Sequence, residues 1–172
     1  MLRKSEPRDA KNIGKVRVAA WRAAYQGFMQ CDFLNSLTPE NNLDELRDRL
    51  SRLNSELFVT VSEISGSVVA FFIVEAPRYK TADNTIELCA LNVFPEYWRN
   101  GIGSRLIAQA IEDSHHLGFG RIELWCTAGN VPAQSTYEKM GFTKTGNKRS
   151  SSDLTGHRLD EVQYARSLDA KQ

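Results

Sequence analysis

Residues 92–107, NVFPEYWRNGIGSRLI, join the end of an apolar, strand-like run to the start of an apolar-periodic helix. The turn between them contains Gly101 and Gly103, and glycine allows both positive φ angles and close approach of another group to the main chain. The free N–H groups at the start of a helix complement negative charge. This order of strand, glycine turn and helix therefore predicts a site for a phosphate compound.

The rest of the chain supplies further strands and helices around this segment. Alternating β-branched runs joined at Ser65-Gly66 predict a hairpin within residues 56–76. Residues 85–94 and 121–127 predict two more strands, and weaker strands are expected near residues 142–145 and 158–165. Apolar spacing and capping signals predict four helices: Pro7 to Tyr25, one from Pro39 with Thr38 as its cap, one from Ser104 to Gly118, and one from Asn130 to Gly141.

Length and composition limit the class of protein. The 172 residues suffice for one well-buried core, and no repeat, linker or low-complexity stretch divides them, so we predict a single α+β domain over residues 1–172 with a mixed sheet. The net charge of +1 comes from scattered lysines and arginines, which argues against nucleic acid or a membrane as partner. No signal peptide or long apolar run is apparent, so a cytoplasmic protein is expected. A homodimer is expected by analogy with other open-edged sheets.

The three cysteines predict neither a metal site nor a disulfide. Cys31, Cys89 and Cys126 are odd in number and lack the spacing of metal ligands. Cys89 and Cys126 lie in apolar, strand-like runs, so we expect both to be small core residues.

Three interpretations of the glycine turn compete. A Walker loop needs a lysine before its serine or threonine, and Gly103-Ser104 has none. A dinucleotide-binding turn needs a third glycine where Leu106 stands, although Glu123 lies at about the expected distance of roughly 20 residues downstream. The third interpretation rests on a resemblance that two separate motifs carry.

Residues 98–103 resemble the pyrophosphate loop of the GNAT N-acetyltransferases, whose pattern is Arg/Gln-x-x-Gly-x-Gly/Ala. Gly101 and Gly103 occupy the glycine places, and Trp98 stands where the family has Arg or Gln. The opening segment AAWRAAYQGFMQCDFLNSL looks like a large, loosely defined bacterial branch of the family. The segment GNVPAQSTYEKMGF is similar to the family's Asn-x-x-Ala-x-x-x-Tyr-x-x-x-Gly-Phe motif, at Asn130, Ala133, Tyr137, Gly141 and Phe142.

The resemblance implies a central sheet of about six to seven mostly antiparallel strands, splayed between the fourth and fifth strands and flanked by about four helices. It also implies acetyl-CoA as the cosubstrate, with the pantetheine arm against the main chain of Leu91 and Val93 in the manner of an added strand. Asn130 is a further expected contact. The pyrophosphate is expected at the loop itself, which comprises Trp98, Arg99, Asn100, Gly101, Ile102, Gly103 and Ser104.

The family's reaction moves an acetyl group from the CoA thioester to an amine, and two side chains are candidates for its proton transfers. Tyr137 matches the tyrosine that commonly points at the thioester sulfur, where a phenol suits protonation of the leaving thiolate. A packing aromatic is the alternative for Tyr137. Glu87 is a lone carboxylate in an apolar strand, at the place where histone acetyltransferases of the family carry their general base. Burial would raise its pKa, which suits a base, and a structural carboxylate is the alternative.

The amine acceptor, a small molecule or a peptide, is the least constrained part of the prediction. Trp21 and Tyr25 end the first helix, which usually borders the acceptor pocket in this fold, and Trp125 and His157 are further candidates. Core packing is the favoured alternative for Trp21. A non-catalytic module that senses acyl-CoA is the rival function, and a phosphoryl-transfer enzyme is a third.

Overall fold

A computed structural model describes residues 1–152 and 158–168 and confirms the predicted α+β class with a mixed, mostly antiparallel sheet. Short 3-10 turns at Pro7–Asp9 and Pro95–Tyr97 precede the first helix and the glycine turn. No helix within the described ranges is long and apolar enough to cross a membrane. The elements, in chain order, are β1 Leu2–Lys4, α1 Ala10–Ala24, α2 Cys31–Ser36, α3 Leu43–Ser51, β2 Leu57–Ile64, β3 Ser67–Glu75, β4 Thr85–Val93, α4 Ile102–His116, β5 Arg121–Thr127, α5 Val131–Lys139, β6 Thr143–Ser151 and β7 Leu159–Ser167.

The sheet has the strand order β1-β2-β3-β4-β5-β7-β6. Only β4 and β5 pair in parallel among the described strands, and α4 forms the crossover that a parallel pair requires. The predicted hairpin joins β2 to β3, and Ser65 and Gly66 at its turn have φ angles of 50° and 78°. The glycine turn therefore lies at the centre of the sheet, where β4 leads into α4.

The two faces of the sheet carry separate apolar cores. On one face, α4 packs over inward side chains of the central strands such as Leu88 and Leu124. On the other face, Ile13 of α1 and Leu50 of α3 pack against β2 and β3. Because successive side chains of a strand alternate between faces, the polar residues of β5 point away from α4. This alternation decides which side of the sheet the candidate functional residues occupy.

The structure between α1 and β2 differs from the prediction. The short helix α2 was not predicted, and α3 begins at Leu43, after Asn42 in a left-handed conformation, rather than at Pro39 with Thr38 as its cap. The carbonyl of Pro39 packs so closely on Gly14 of α1 that a Cβ atom there would lie 2.5 Å from the oxygen. This tertiary contact holds the segment in turns and overrides the local Thr-Pro signal.

The helix α2 is fixed by a side chain of α1. The Arg22 guanidinium donates hydrogen bonds to the main-chain oxygens of Leu34 at 3.1 Å and Leu37 at 2.7 Å. Carbonyl groups at the end of a helix lack partners within the helix, so a long cationic side chain can satisfy them. Arg22 thus stabilises a six-residue helix that has no strong signal of its own.

The prediction that Cys89 is a core residue is wrong. Ile73 and Val74 of β3 pair with Ala90 and Leu88, so Cys89 is the extra residue of a β-bulge. A bulge breaks the alternation of side chains and bends its strand. Cys89 is therefore exposed although its neighbours in sequence are apolar.

The predicted splay between the fourth and fifth strands is confirmed. β4 and β5 pair only through Thr85, Ile86 and Glu87, opposite the first three residues of β5. The bulge at Cys89 follows Glu87 by two residues. Beyond Glu87, the described residues of β4 and β5 form no further pairs with each other. The result is a gap between two central strands that begins at Glu87.

Candidate active site

The gap between β4 and β5 exposes main-chain groups of β4. The N–H of Phe94 donates a hydrogen bond to the Val69 oxygen at 2.8 Å, which fixes the phase of the antiparallel β3–β4 ladder. Because bonded and non-bonded pairs alternate along such a ladder, the N–H and C=O groups of Leu91 and Val93 point away from β3. The two residues that were predicted to pair with a pantetheine arm thus turn their main chain toward the gap.

The glycine turn presents the first turn of α4 at an open surface. Gly101 has a φ of 74° and is the N-cap of α4, a conformation that favours glycine. At Gly103 a Cβ atom would have the Val93 Cγ2 as its near neighbour, at 3.9 Å, so the space above this residue is open. The free N–H groups of a 15-residue helix and its dipole are therefore accessible to an anion here.

The side chains of the loop differ in their exposure. Arg99 and Asn100 are exposed and Ser104 is half-buried. Ile102 is only 3% exposed and belongs to the core under α4. Ile102 can therefore meet a ligand only through its main chain, so the turn offers amides more than side chains.

Trp98 connects the loop to the end of β4. Its indole Nε1–H donates a hydrogen bond to the Val93 oxygen at 2.7 Å, while the ring is 41% exposed. Tryptophan in place of Arg or Gln therefore adds a side-chain hydrogen bond between the loop and the strand. This hydrogen bond occupies the gap-facing carbonyl of Val93 and leaves the Val93 N–H and both main-chain groups of Leu91 for other partners.

Tyr137 lies on α5 and packs by its ring against two aromatic residues. The ring centroids of Phe142 and Tyr164 are 6.0 Å and 6.2 Å away. No hydrogen bond to the Tyr137 hydroxyl is found among the residues the structure describes. Burial, with smaller contributions from Cys126 and Tyr25, raises the pKa of Tyr137 above its usual value. The hydroxyl is thus a neutral donor with no hydrogen-bond partner among the described residues.

Tyr25 reaches the start of α5 from the other side of the sheet. Burial raises the pKa of its phenol, while hydrogen bonding with the Thr127 and Asn130 side chains opposes that rise. Trp21 packs edge-on against Tyr25 with centroids 5.6 Å apart and also contacts Phe33 at 6.5 Å. Trp21 is therefore a packing residue, the alternative that the sequence favoured, whereas Tyr25 lies near the candidate acid.

Glu87 belongs to a row of three glutamates that crosses the sheet. It pairs with Glu75 of β3 and Glu123 of β5, so all three side chains lie on the face opposite α4. Arg49 forms an ion pair with Glu75, and Arg121 Nε lies 2.8 Å from the Glu123 carboxylate. Within the described part of the chain, Glu87 forms no such ion pair. It is the member of the row whose charge is not directly balanced.

The surroundings of Glu87 favour its protonated form. The side chain is buried, and this burial raises the pKa of the carboxyl group above its ordinary value. The positive charge of Arg149 and hydrogen bonding from Tyr79 oppose the rise, whereas the neighbouring glutamates add to it. A carboxylate in this state is a stronger base than an exposed one, and it is available because no cation is bonded to it.

A pocket of about 580 Å³ opens on the same face of the sheet. It is lined by residues from the β3–β4 loop, β5, β6 and β7, and the lining side chains of Tyr79, Glu123 and Arg149 all act on Glu87. The pocket contains the predicted Trp125, whose ring lies 5.9 Å from the Tyr79 ring and 4.5 Å from the Arg149 guanidinium carbon. Glu87 therefore lies beside a cavity of the size that small molecules occupy.

The structure brings Trp125 to this pocket but not Trp21 or Tyr25. His157, the remaining candidate, lies outside the described residues. Sequence reasoning missed Tyr79 and Arg149, because no local motif marks either of them. Only the pairing of β5 with β7 and of β7 with β6 brings Arg149 beside Trp125.

Comparison with known proteins identifies the fold that carries this site. The model of the acetyltransferase (GNAT) family matches residues 20–142. The chain belongs to this family. YuaI, an uncharacterised N-acetyltransferase of Bacillus subtilis (strain 168), is 30% identical over 162 residues, which cover 94% of this chain and 89% of YuaI. The resemblance carried by the two motifs is thus confirmed, and the protein is an N-acetyltransferase.

Solved structures of this GNAT fold superimpose along the whole chain. The PaiA N-acetyltransferase of Thermoplasma acidophilum, in complex with coenzyme A, has a TM-score of 0.75 at 20% identity and covers 97% of this chain and 98% of its own. YncA of Salmonella typhimurium, a putative acetyltransferase with its cofactor acetyl-CoA, has a TM-score of 0.72 at 19% identity, with coverages of 100% and 95%. At these identities the likeness concerns the fold.

The open surface at Gly103 generates the first prediction. Gly103→Val adds a branched side chain above the first-turn amides at a place where a Cβ atom meets nothing closer than 3.9 Å. We expect it to weaken acetyl-CoA binding by roughly tenfold or more, since an anion then loses close access to these amides. Isothermal titration calorimetry measures the dissociation constant, and a thermal melt checks the fold. Arg99→Ala, which removes an exposed side chain, is the matched control and should change affinity much less. Equal losses in both variants would contradict a loop that binds through its main chain.

Proposed function

We propose that this GNAT protein transfers the acetyl group of acetyl-CoA to a primary amine by direct attack in a ternary complex. One observation supports the proposal above the others. The gap between β4 and β5 begins at Glu87, a buried carboxylate with a raised pKa, and β5 leads into α5, which carries Tyr137. The two proton transfers that the reaction requires therefore each have a candidate group on one of the two strands' own segments.

The chain fits acetyl-CoA in two places. The open first turn of α4 suits the pyrophosphate, because backbone N–H groups and the helix dipole favour an anion. The gap-facing groups of Leu91 and the N–H of Val93 suit the amides of the pantetheine arm in the manner of strand addition. When bound, acetyl-CoA supplies the thioester, and the gap-facing N–H of Leu91 is a candidate to polarise its carbonyl.

Glu87 is assigned the removal of a proton from the acceptor. An alkylammonium has a pKa of about 10 and must lose a proton before its nitrogen can attack. Glu87 lies beside the pocket, and no cation among the described residues is bonded to it to hold its pKa low. Its raised pKa increases its strength as a base, so we assign it proton abstraction, directly or through a water molecule.

Tyr137 is assigned the proton that the departing thiolate requires. Its phenol stays neutral because burial raises its pKa. Its ring is held by Phe142 and Tyr164, and no partner among the described residues holds its hydroxyl. A donor that is positioned and unoccupied in the resting state can bond most strongly as charge develops on sulfur.

A panel of primary amines with acetyl-CoA, read by released CoA thiol, tests the proposal. Turnover of at least one amine well above the hydrolysis of acetyl-CoA alone is the expected result. The alternative is a non-catalytic module that senses acyl-CoA. Tight binding of acetyl-CoA without turnover of any amine would favour that alternative and contradict the proposal.

The second prediction concerns Glu87. Glu87→Gln should lower kcat/KM at neutral pH by about 10²-fold or more and leave acetyl-CoA affinity nearly intact, because it removes the base. Since the pKa of Glu87 is raised, kcat/KM of the parent should increase with pH as this carboxyl ionises. The variant should lack this increase, which is the acid limb of the pH profile. The deficit should shrink at alkaline pH, where more of the amine is already free. A pH profile of kcat/KM measures each of these effects.

Glu75→Gln is the matched control for this substitution. Glu75 occupies the same row one strand away, but Arg49 and Arg78 already balance its charge. The variant should keep the acid limb, shifted toward lower pH, because Glu75 contributes to the raised pKa of Glu87. A deficit in Glu87→Gln that is equal at every pH would show a structural or positioning role instead of a base.

The third prediction concerns Tyr137. Tyr137→Phe keeps the ring and its packing, so the melting temperature should change little. The loss of the hydroxyl should reduce kcat by roughly 10²-fold, the lower end for a general acid, because a thiolate is already a fair leaving group. Acetyl-CoA affinity should be nearly unchanged, since the lost interaction strengthens only in the transition state. A kcat within about twofold of the parent would return Tyr137 to a packing role.

A further inference from the structure

The pocket beside Glu87 has an uneven distribution of charge. Its lining contains four cationic side chains, Lys80, Arg121, Lys148 and Arg149, and one carboxylate, Glu123. These cations come from the β3–β4 loop, β5 and β6, so the sheet topology rather than any single segment brings them together. Glu123 and Glu87 together cannot balance four cations, so the positive excess needs an explanation beyond these two carboxyl groups.

Two of the four cations have partners among the described residues and two do not. Arg121 pairs with Glu123 at 2.8 Å, and Arg149 pairs with Glu161 at 2.5 Å and stacks on a tryptophan. Among the residues that the structure describes, Lys80 and Lys148 have neither an ion pair nor a hydrogen bond from their ammonium groups. These two lysines are therefore available to an external anion.

The charges of opposite sign are also separated in depth. Glu123 and Glu87 are 2% and 9% exposed, whereas Lys80 and Lys148 are exposed. The buried carboxylate of Glu123 thus lies at the floor of the pocket with Glu87 behind it on the neighbouring strand, and the ammonium groups of Lys80 and Lys148 lie at the mouth. This arrangement is complementary to a molecule with a cationic end that enters first and an anionic end that follows.

We propose that the acceptor is a small molecule with an anionic group, a carboxylate or a phosphate, in addition to its primary amine. The amine lies toward Glu87 and the gap, and the anionic group lies between Lys80 and Lys148. The volume of about 580 Å³ fits a small molecule. This inference rests on the proposed acetyl transfer, because it takes Glu87 to mark the position of the amine.

The same charges disfavour two other classes of acceptor. A polyamine would place its second ammonium group near the lysines at the mouth, where like charges repel. A simple neutral amine would leave the ammonium groups of the lysines in water and gain nothing from them. Selectivity for an anionic acceptor should therefore weaken as salt screens these exposed charges.

Matched pairs of acceptors test the inference by turnover. The carboxylate arm compares amino acids with their amides, and the phosphate arm compares O-phosphoethanolamine with ethanolamine and O-phosphoserine with serine. We expect the anionic member to have the higher kcat/KM in at least one arm, chiefly through a lower KM. An amide lowers the pKa of the adjacent amine and so supplies more free amine, which biases the carboxylate arm against this result. The arm that responds identifies the anion.

A double variant, Lys80→Gln with Lys148→Gln, tests whether these two lysines are responsible. It should reduce kcat/KM for the anionic acceptor by roughly tenfold, through KM, and leave the neutral acceptor nearly unchanged. Lys15→Gln, at an exposed lysine of α1 outside the pocket lining, is the matched control and should change neither value. Equal or better use of the neutral members, or an unchanged preference in the double variant, would overturn the inference.

A binding measurement separates this inference from the proposed function. N-acetylated amino acids, O-phospho-N-acetylethanolamine and their neutral counterparts need no turnover, and the fluorescence of Trp125 in the pocket can report their binding by comparison with a Trp125→Phe variant. Tighter binding of the anionic probe to the parent than to the double variant supports the anion site even if no amine is acetylated, an outcome that would overturn the proposed function alone. Equal binding of charged and neutral probes, together with turnover of neutral amines, would overturn the inference and leave the function standing.

Discussion

The early end of the pairing between β4 and β5 is the constraint on which the rest of the site depends. Two parallel strands in the middle of a sheet would normally satisfy each other's main-chain groups along their length. Here the pairs stop at Glu87, and a bulge at Cys89 bends β4 two residues later. Unpaired main-chain groups are costly unless water or a ligand satisfies them, so this gap suits the added strand that we propose the pantetheine arm to be.

The two proposed catalytic groups come from distant segments of the chain. Glu87 is the last paired residue of β4 and lies on the face opposite α4, while Tyr137 belongs to the helix that follows β5. Tyr25 reaches the start of α5 from the end of α1 and contributes to the raised pKa of Tyr137. The proposed groups therefore come from both faces of the sheet. Among the described residues, Glu75 and Glu123 form ion pairs and Glu87 does not.

The sequence predicts those parts of the protein that local signals determine. The hairpin at Ser65-Gly66, the cap at Asn130 and the glycine turn at Gly101 each depend on a few adjacent residues, and each was found where it was predicted. The start of α3 could not be predicted in this way, because contact between Pro39 and α1 overrides a normal capping signal.

The charged pocket could not be predicted from local signals either. Lys80 and Lys148 are far apart in the chain, and only the order of the strands places both at one cavity. Trp98 shows a related difficulty, because the motif revealed that this residue departs from the family but not that its indole binds the Val93 oxygen. Cys89 was misassigned because the apolar sequence of β4 does not mark the residue at which its bulge falls. Register, tertiary contact and strand order supplied what the sequence pattern lacked.

Residue-resolved amide hydrogen exchange with and without acetyl-CoA tests the central claim most directly, namely that the gap beside β4 is the binding slot for the acyl donor. The N–H groups of Leu91 and Val93 point into the gap, whereas the N–H of Asn92 points toward β3 and serves as the internal reference. The account predicts that acetyl-CoA slows exchange at Leu91 and Val93 much more than at Asn92. Bound acetyl-CoA that leaves the exchange of Leu91 and Val93 unchanged would contradict it.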